Sequence, residues 1–148
     1  MKRPEQALQI NLVSALRLML PEPWLVIHVP NGGGRSKAEA GIFKAMGVLA
    51  GFPDLLVIGP PPCDIQISPN TVMRDTREAS VIAIELKAPP KATKSGKPSK
   101  AKANLSEAQR DVIGALGQCG IPTLIVRSLP EAIDALKALG VPLKGKAL

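Results

Sequence analysis

Apolar positions along the chain recur with two periods. In residues 5–20 (EQALQINLVSALRLML), Leu8, Leu12, Ala15, Leu16 and Met19 fall three or four apart, which is one face of a helix; Pro4 suits its first turn, and Pro21 and Pro23 end it. Residues 24–29 (WLVIHV) are short and β-branched and read as a strand, closed by Pro30 and the turn Asn31-Gly32-Gly33-Gly34-Arg35. Ser36 with Glu39 has the spacing of a capping box and opens a helix of about three turns, ending near Gly47. Gly51-Phe52-Pro53-Asp54 is a tight turn into Leu55–Ile58, an apolar run suited to a buried strand, which Gly59-Pro60-Pro61-Pro62 stops.

Residues 63–78 (CDIQISPNTVMRDTRE) admit a short edge hairpin or an ordered loop. Residues 80–88 (SVIAIELKA) form the clearest strand: Val81, Ala83, Glu85 and Lys87 share one face, and Ile82, Ile84 and Leu86 share the other. Ser106 with Gln109 starts a further helix to about Cys119, closed by Gly120. Residues 122–127 form a last strand; Ser128, Pro130 and Glu131 open a final helix that Gly140 ends, and the tail from Val141 reads as loose. No internal repeat is visible. The order of helices and strands predicts an α/β chain, a single domain over 1–148, with a mixed central sheet and helices on both faces.

Composition adds a partner class. Of 148 residues, 45% are apolar, enough for a sizeable core, and 19 Lys and Arg against 12 Asp and Glu leave a net charge of +7. A small basic domain commonly meets nucleic acid, an anionic membrane or an acidic protein. The basic charge is concentrated in 89–104 (PPKATKSGKPSKAKAN), which carries Lys91, Lys94, Lys97, Lys100 and Lys102, no acid and almost nothing to bury; it reads as a mobile basic loop suited to DNA backbone. Aromatic residues make up only 2%, which counts against a single-strand binder that stacks bases. Cys63 and Cys119 are too few for a zinc cluster or a disulfide framework and read as reduced thiols. No apolar run is long enough to span a bilayer, and the N-terminus lacks a signal core, so the expectation is a cytoplasmic protein with no membrane partner.

The chemistry resides in charges placed where a sheet should be apolar. Asp54 opens one strand; Glu85 and Lys87, two apart, project side by side from another. Thirty residues separate Asp54 from Glu85, enough for the second strand to return beside the first. Two partly buried carboxylates repel each other and become favourable around a divalent cation. Mg²⁺ or Mn²⁺ suits such hard oxygen ligands, and an adjacent lysine can orient water or stabilise charge developing on a phosphate.

Pro53-Asp54 … Glu85-Leu86-Lys87 thus resembles the PD-(D/E)XK nuclease motif, a weak pattern by itself. The wider chain resembles the VRR-NUC (virus-type replication-repair nuclease) family of that superfamily from about Glu5 to Ala138. Glu5 and Gln9 lie on the first helix; Asn31–Arg35 precedes a helix running into Ala45-Met46-Gly47-Val48-Leu49-Ala50-Gly51-Phe52-Pro53-Asp54-Leu55; Leu105-Ser106-Glu107-Ala108-Gln109 is similar to the family's LSxxQ helix start; and Gly120 leads into Thr123–Val126. The Pro60–Pro62 run with its 63–78 insert and the lysine-rich loop depart from the pattern.

The resemblance implies a restriction-endonuclease-like core and an endonuclease acting on DNA phosphodiesters. In it Asp54, Glu85 and the Leu86 carbonyl ligate the metal, Glu5 contributes directly or through water, Lys87 positions the attacking water and Gln109 supports the site. It also implies a homodimer acting on branched DNA such as four-way junctions.

Plainer readings stand beside these. Glu85 and Lys87 are also what an exposed ion pair looks like. Asp54 after Pro53 suits a turn, Glu5 suits any helix start, and Gln109 closes a capping box. His28, the one histidine, reads as a core residue or as one that reaches the site; Arg35 is placed to touch a phosphate. The rival functions are a flap or nicking nuclease with little junction preference, a non-catalytic DNA-binding module on the same fold, and an adaptor for acidic proteins or membrane surfaces.

Overall fold

A computed structural model describes residues 4–31, 36–60, 64–68, 71–74, 79–89 and 105–145. Its elements are α1 (Pro4–Met19), β1 (Leu25–His28), α2 (Lys37–Ala45), β2 (Leu55–Gly59), β3 (Asp64–Ser68), β4 (Thr71–Arg74), β5 (Ser80–Leu86), α3 (Glu107–Gln118), β6 (Thr123–Val126) and α4 (Leu129–Ala138). Helix starts follow local chemistry. Ser36 and Glu39 exchange both bonds of a capping box at α2, Ser106 and Gln109 do the same at α3, and the Ser128 hydroxyl accepts from the Glu131 N–H at α4.

Four strands form one mixed sheet in the order β1-β2-β5-β6. β1 and β5 run antiparallel to β2, and β6 runs parallel to β5 after the α3 crossover. Leu55 pairs with Ile84, Val57 with Ile82 and Leu86 with Val126, which puts these side chains on one face. There they pack against Leu12, Leu16 and Met19 of α1 and Ala132, Ile133 and Leu136 of α4. The opposite face of β5 carries Ala83 and Glu85, and α3 approaches from that side through Gln109. Helices therefore occupy both faces, as the element order predicts. Trp24, just before β1, lies against Gly59 at the end of β2: a Cβ there would come within 2.1 Å of the indole. Glycine is required by that close approach.

The tail expected to be loose from Val141 instead buries Val141 in the core and ties back through the Lys144 N–H to Met19 O at 2.8 Å, and other expectations change or are resolved as well. The strand expected over 80–88 ends at Leu86; the Lys87 N–H still donates to Val126 O, but Pro89 has no N–H to continue the ladder. The ambiguous 63–78 stretch contains the β3–β4 hairpin, and this pairs as its own two-stranded sheet instead of extending the main one. α2 covers no sheet face: it has no buried residue, it packs against no other helix or strand among the described residues, and Ile42 and Met46 stay exposed. Its amphipathic pattern marks an apolar face without saying what meets it. Cys119 is an exposed free thiol, and Cys63 lies outside the described residues. No described helix is long and apolar enough to cross a membrane.

Candidate active site

The site forms where β2 begins and β5 ends. Leu55 pairs with Ile84 in antiparallel register, so Asp54, one residue before β2, stands level with Glu85. The Asp54 carboxylate crosses the gap, and its Oδ2 accepts the Leu86 N–H at 2.8 Å. The Gly51–Asp54 turn is held from behind: the Asp54 carbonyl continues the ladder by accepting the Val29 N–H at 2.9 Å.

Glu85 is the one charged residue in the buried core of the described chain, only 3% exposed, on a strand whose other residues after Ser80 are Val, Ile, Ala and Leu. An acid in such a place needs partners. Lys87 Nζ lies 2.9 Å from Glu85 Oε1, as expected of two side chains two apart on a strand. Gln109 Nε2, from the first turn of α3, donates to the same Glu85 oxygen, and Gln109 Oε1 accepts from Lys87 Nζ at 3.1 Å. Glu85, Lys87 and Gln109 form a closed triangle. Gln109 Oε1 also accepts the Ser106 N–H at 3.0 Å, so one oxygen closes the helix cap and meets Lys87. That helix cap fixes the rotamer that aims the amide at Glu85.

Burial pushes both carboxyls up. For Asp54 desolvation dominates and the Glu5 charge adds to it, against the Leu86 N–H and the charges of Lys87 and His28. For Glu85 desolvation again leads and the Asp54 charge adds, against Lys87 and Gln109. Two carboxylates thus feel each other, with one ammonium held against Glu85.

Asp54 Oδ1 and Glu85 Oε2 take no hydrogen bond among the described residues. These hard oxygens, with a main chain already turned in beside them at Leu86, fit Mg²⁺ or Mn²⁺ in chemistry and charge. The described residues hold no group of three or more His, Cys, Asp and Glu able to make an all-side-chain cage. The donor set is the sparse kind that leaves room for water and phosphate.

Glu5 comes to the rim rather than the centre: exposed on α1, its Oε1 accepts the Ala88 N–H at 3.1 Å, just past Lys87. His28 reaches the Asp54 backbone, not the carboxylate: its Nδ1 lies 2.9 Å from Asp54 O. Arg35, Lys91, Lys94, Lys97, Lys100 and Lys102 lie outside the described residues. Sequence reasoning gave Asn31 no role beyond a turn, yet its Nδ2 donates to Phe52 O at 3.0 Å. The signal was an amide side chain shortly after a strand and just ahead of a glycine run, where side-chain amides commonly bond to main chain.

No protein-family model and no curated protein matches the sequence. Among solved structures, one described as a VRR_NUC domain protein matches over 96% of this chain and 98% of that one, with a TM-score of 0.57 and 19% identity. The chain has the VRR_NUC fold. At that identity the likeness is one of fold.

Proposed function

We propose that this protein is a Mg²⁺- or Mn²⁺-dependent deoxyribonuclease that hydrolyses phosphodiester bonds. The observation that carries the reading is the convergence of two buried or half-buried carboxylates, Asp54 and Glu85, with the Lys87 ammonium on one of them. The VRR_NUC fold supports it. Asp54 and Glu85, with the Leu86 carbonyl, would hold the cation, and Glu5 would act on it from the rim. Bound there, the cation would supply Lewis acidity and neutralise charge on the phosphate.

The chain's own groups account for the rest. Lys87 Nζ presents a proton donor and a positive charge beside the scissile group, where it orients the attacking water and stabilises charge developing on phosphate oxygens. Gln109 holds Lys87 and Glu85 in register. Arg35 and the lysines of 91–102 supply the sequence-independent grip on DNA backbone that a net charge of +7 implies.

We further assign branched DNA, four-way junctions included, as the substrate, and a homodimer as the acting form, because a two-fold pair of sites suits paired cuts on opposed strands. The test is a panel of labelled junction, flap, nicked, linear duplex and single-stranded DNAs, incubated with Mg²⁺, Mn²⁺ or chelator, beside Asp54→Ala. Metal-dependent cutting, strongest on junctions and absent in Asp54→Ala, is expected. Binding without cutting on every substrate would instead favour a non-catalytic module.

A further inference from the structure

We propose that His28 and Asn31 are positioning residues, a two-point clamp that sets where the Gly51–Asp54 turn delivers the Asp54 carboxylate. Both leave the end of β1 and both seize main-chain carbonyls of that one turn. Asn31 Nδ2 donates to Phe52 O at 3.0 Å and His28 Nδ1 lies 2.9 Å from Asp54 O. A carbonyl only accepts, so His28 carries its proton on Nδ1 and donates. The Asn31 N–H donates to Val29 O at 2.8 Å, which folds the clamp back onto the strand.

The far side of the turn is braced as well. Gly51 has φ +83, and a Cβ there would lie 2.4 Å from the Ala108 carbonyl carbon and 2.7 Å from Gln109 N. Turn and α3 thus touch backbone to backbone at the residue that holds Glu85 and Lys87. The clamp pushes the turn against α3, and the contact fixes the separation between Asp54 and the Glu85–Lys87–Gln109 triangle. His28 acts through main chain, so what it needs is a donor at the Nδ1 position. An asparagine amide occupies about that place; a glutamine amide does not.

The inference rests on the proposed nuclease reading only in its activity arm. The variants are His28→Ala, His28→Asn and Asn31→Ala, with His28→Gln standing in if His28→Ala fails to fold. Hydrogen exchange over residues 49–56 reads the turn directly. It should accelerate about tenfold in His28→Ala and Asn31→Ala and stay near wild type in His28→Asn. Cleavage should show kcat down by about tenfold or more with KM unchanged in the first two, rescued in His28→Asn, because a small misplacement of a reacting group is felt in the chemical step. Wild-type exchange in every variant would overturn the clamp, as would His28→Asn behaving like His28→Ala. A wild type that neither binds Mn²⁺ nor cuts DNA would sink the nuclease reading, while exchange still decides the clamp.

Discussion

Gln109 separates a structural role from a site role, because two substitutions divide its bonds. Its amide makes three of them: Nε2 to Glu85, and Oε1 from Lys87 Nζ and from the Ser106 N–H. Gln109→Ala removes all three. The missing half of the capping box is worth about 0.5–1 kcal/mol of helix stability, and a hydrogen bond to a charged group is worth about 1.5–3 kcal/mol. If that second amount is felt in the transition state through a misplaced Lys87, cleavage falls by about 10- to 150-fold.

Gln109→Glu keeps the cap, since glutamate serves the same helix position. It replaces the donor facing Glu85 with a like charge. At about 4 Å and an effective dielectric near 20 that repulsion is about 4 kcal/mol, before Lys87 offsets part of it. Cleavage of a labelled junction with Mg²⁺ and thermal melting by circular dichroism are measured side by side. Gln109→Ala should lose both stability and activity. Gln109→Glu should keep the helix start intact, melt no higher than wild type and cut at least as poorly as Gln109→Ala. Wild-type cleavage by Gln109→Glu, or by Gln109→Ala below its melting point, would reduce Gln109 to a cap and refute the triangle as a working unit.

Three further outcomes follow from the same geometry. Asp54 and Glu85 are held above the ordinary carboxylate range by burial, so the stability linked to them is full below their ordinary values and is lost as pH rises through the raised ones. Asp54→Asn should therefore raise Tm at about pH 8, with the gain fading toward about pH 4 in calorimetry; a lowered Tm at the higher pH contradicts the assigned cause. Gly59→Ala drives a methyl into the Trp24 ring and should destabilise by about 1–3 kcal/mol in urea unfolding, an unchanged midpoint being the refuting result. Replacing Lys91, Lys94, Lys97, Lys100 and Lys102 by Gln should flatten the salt dependence of DNA affinity by about 0.9 in log–log slope for each phosphate that is no longer neutralised, and an unchanged slope would remove the segment from the DNA path.

Local chemistry made much of this legible in the sequence. The capping boxes at Ser36 and Ser106 follow from side chains three residues apart, and both form as their spacing predicts. The pairing of Glu85 with Lys87 follows from the two-residue repeat of a strand. Convergence of Asp54 on the end of β5 needs the sheet register, which a bare spacing of thirty residues permits without specifying. The 63–78 stretch resisted reading because its polar and apolar positions mark no single buried face, and pairing with itself satisfies it. α2 shows the limit of local signals: Ser36 and Glu39 predict where the helix starts but not what it packs against, and Ile42 stays exposed. Gln109 posed a choice between cap and site, and its geometry is compatible with both: Oε1 meets the Ser106 N–H and Lys87 Nζ, while Nε2 turns to Glu85. The His28–Asn31 clamp was illegible for another reason: its acceptors are main-chain carbonyls, present at every residue and chosen only by the fold.

The most direct measurement is a calorimetric titration of Mn²⁺ into the wild-type chain, Asp54→Asn and Glu85→Gln at about pH 8, since raised carboxyls bind metal better as pH rises. Saturable binding to the wild type, weakened at least about tenfold in each variant, is the predicted result. A wild type that binds no Mn²⁺, or variants that bind it equally well, would contradict the account.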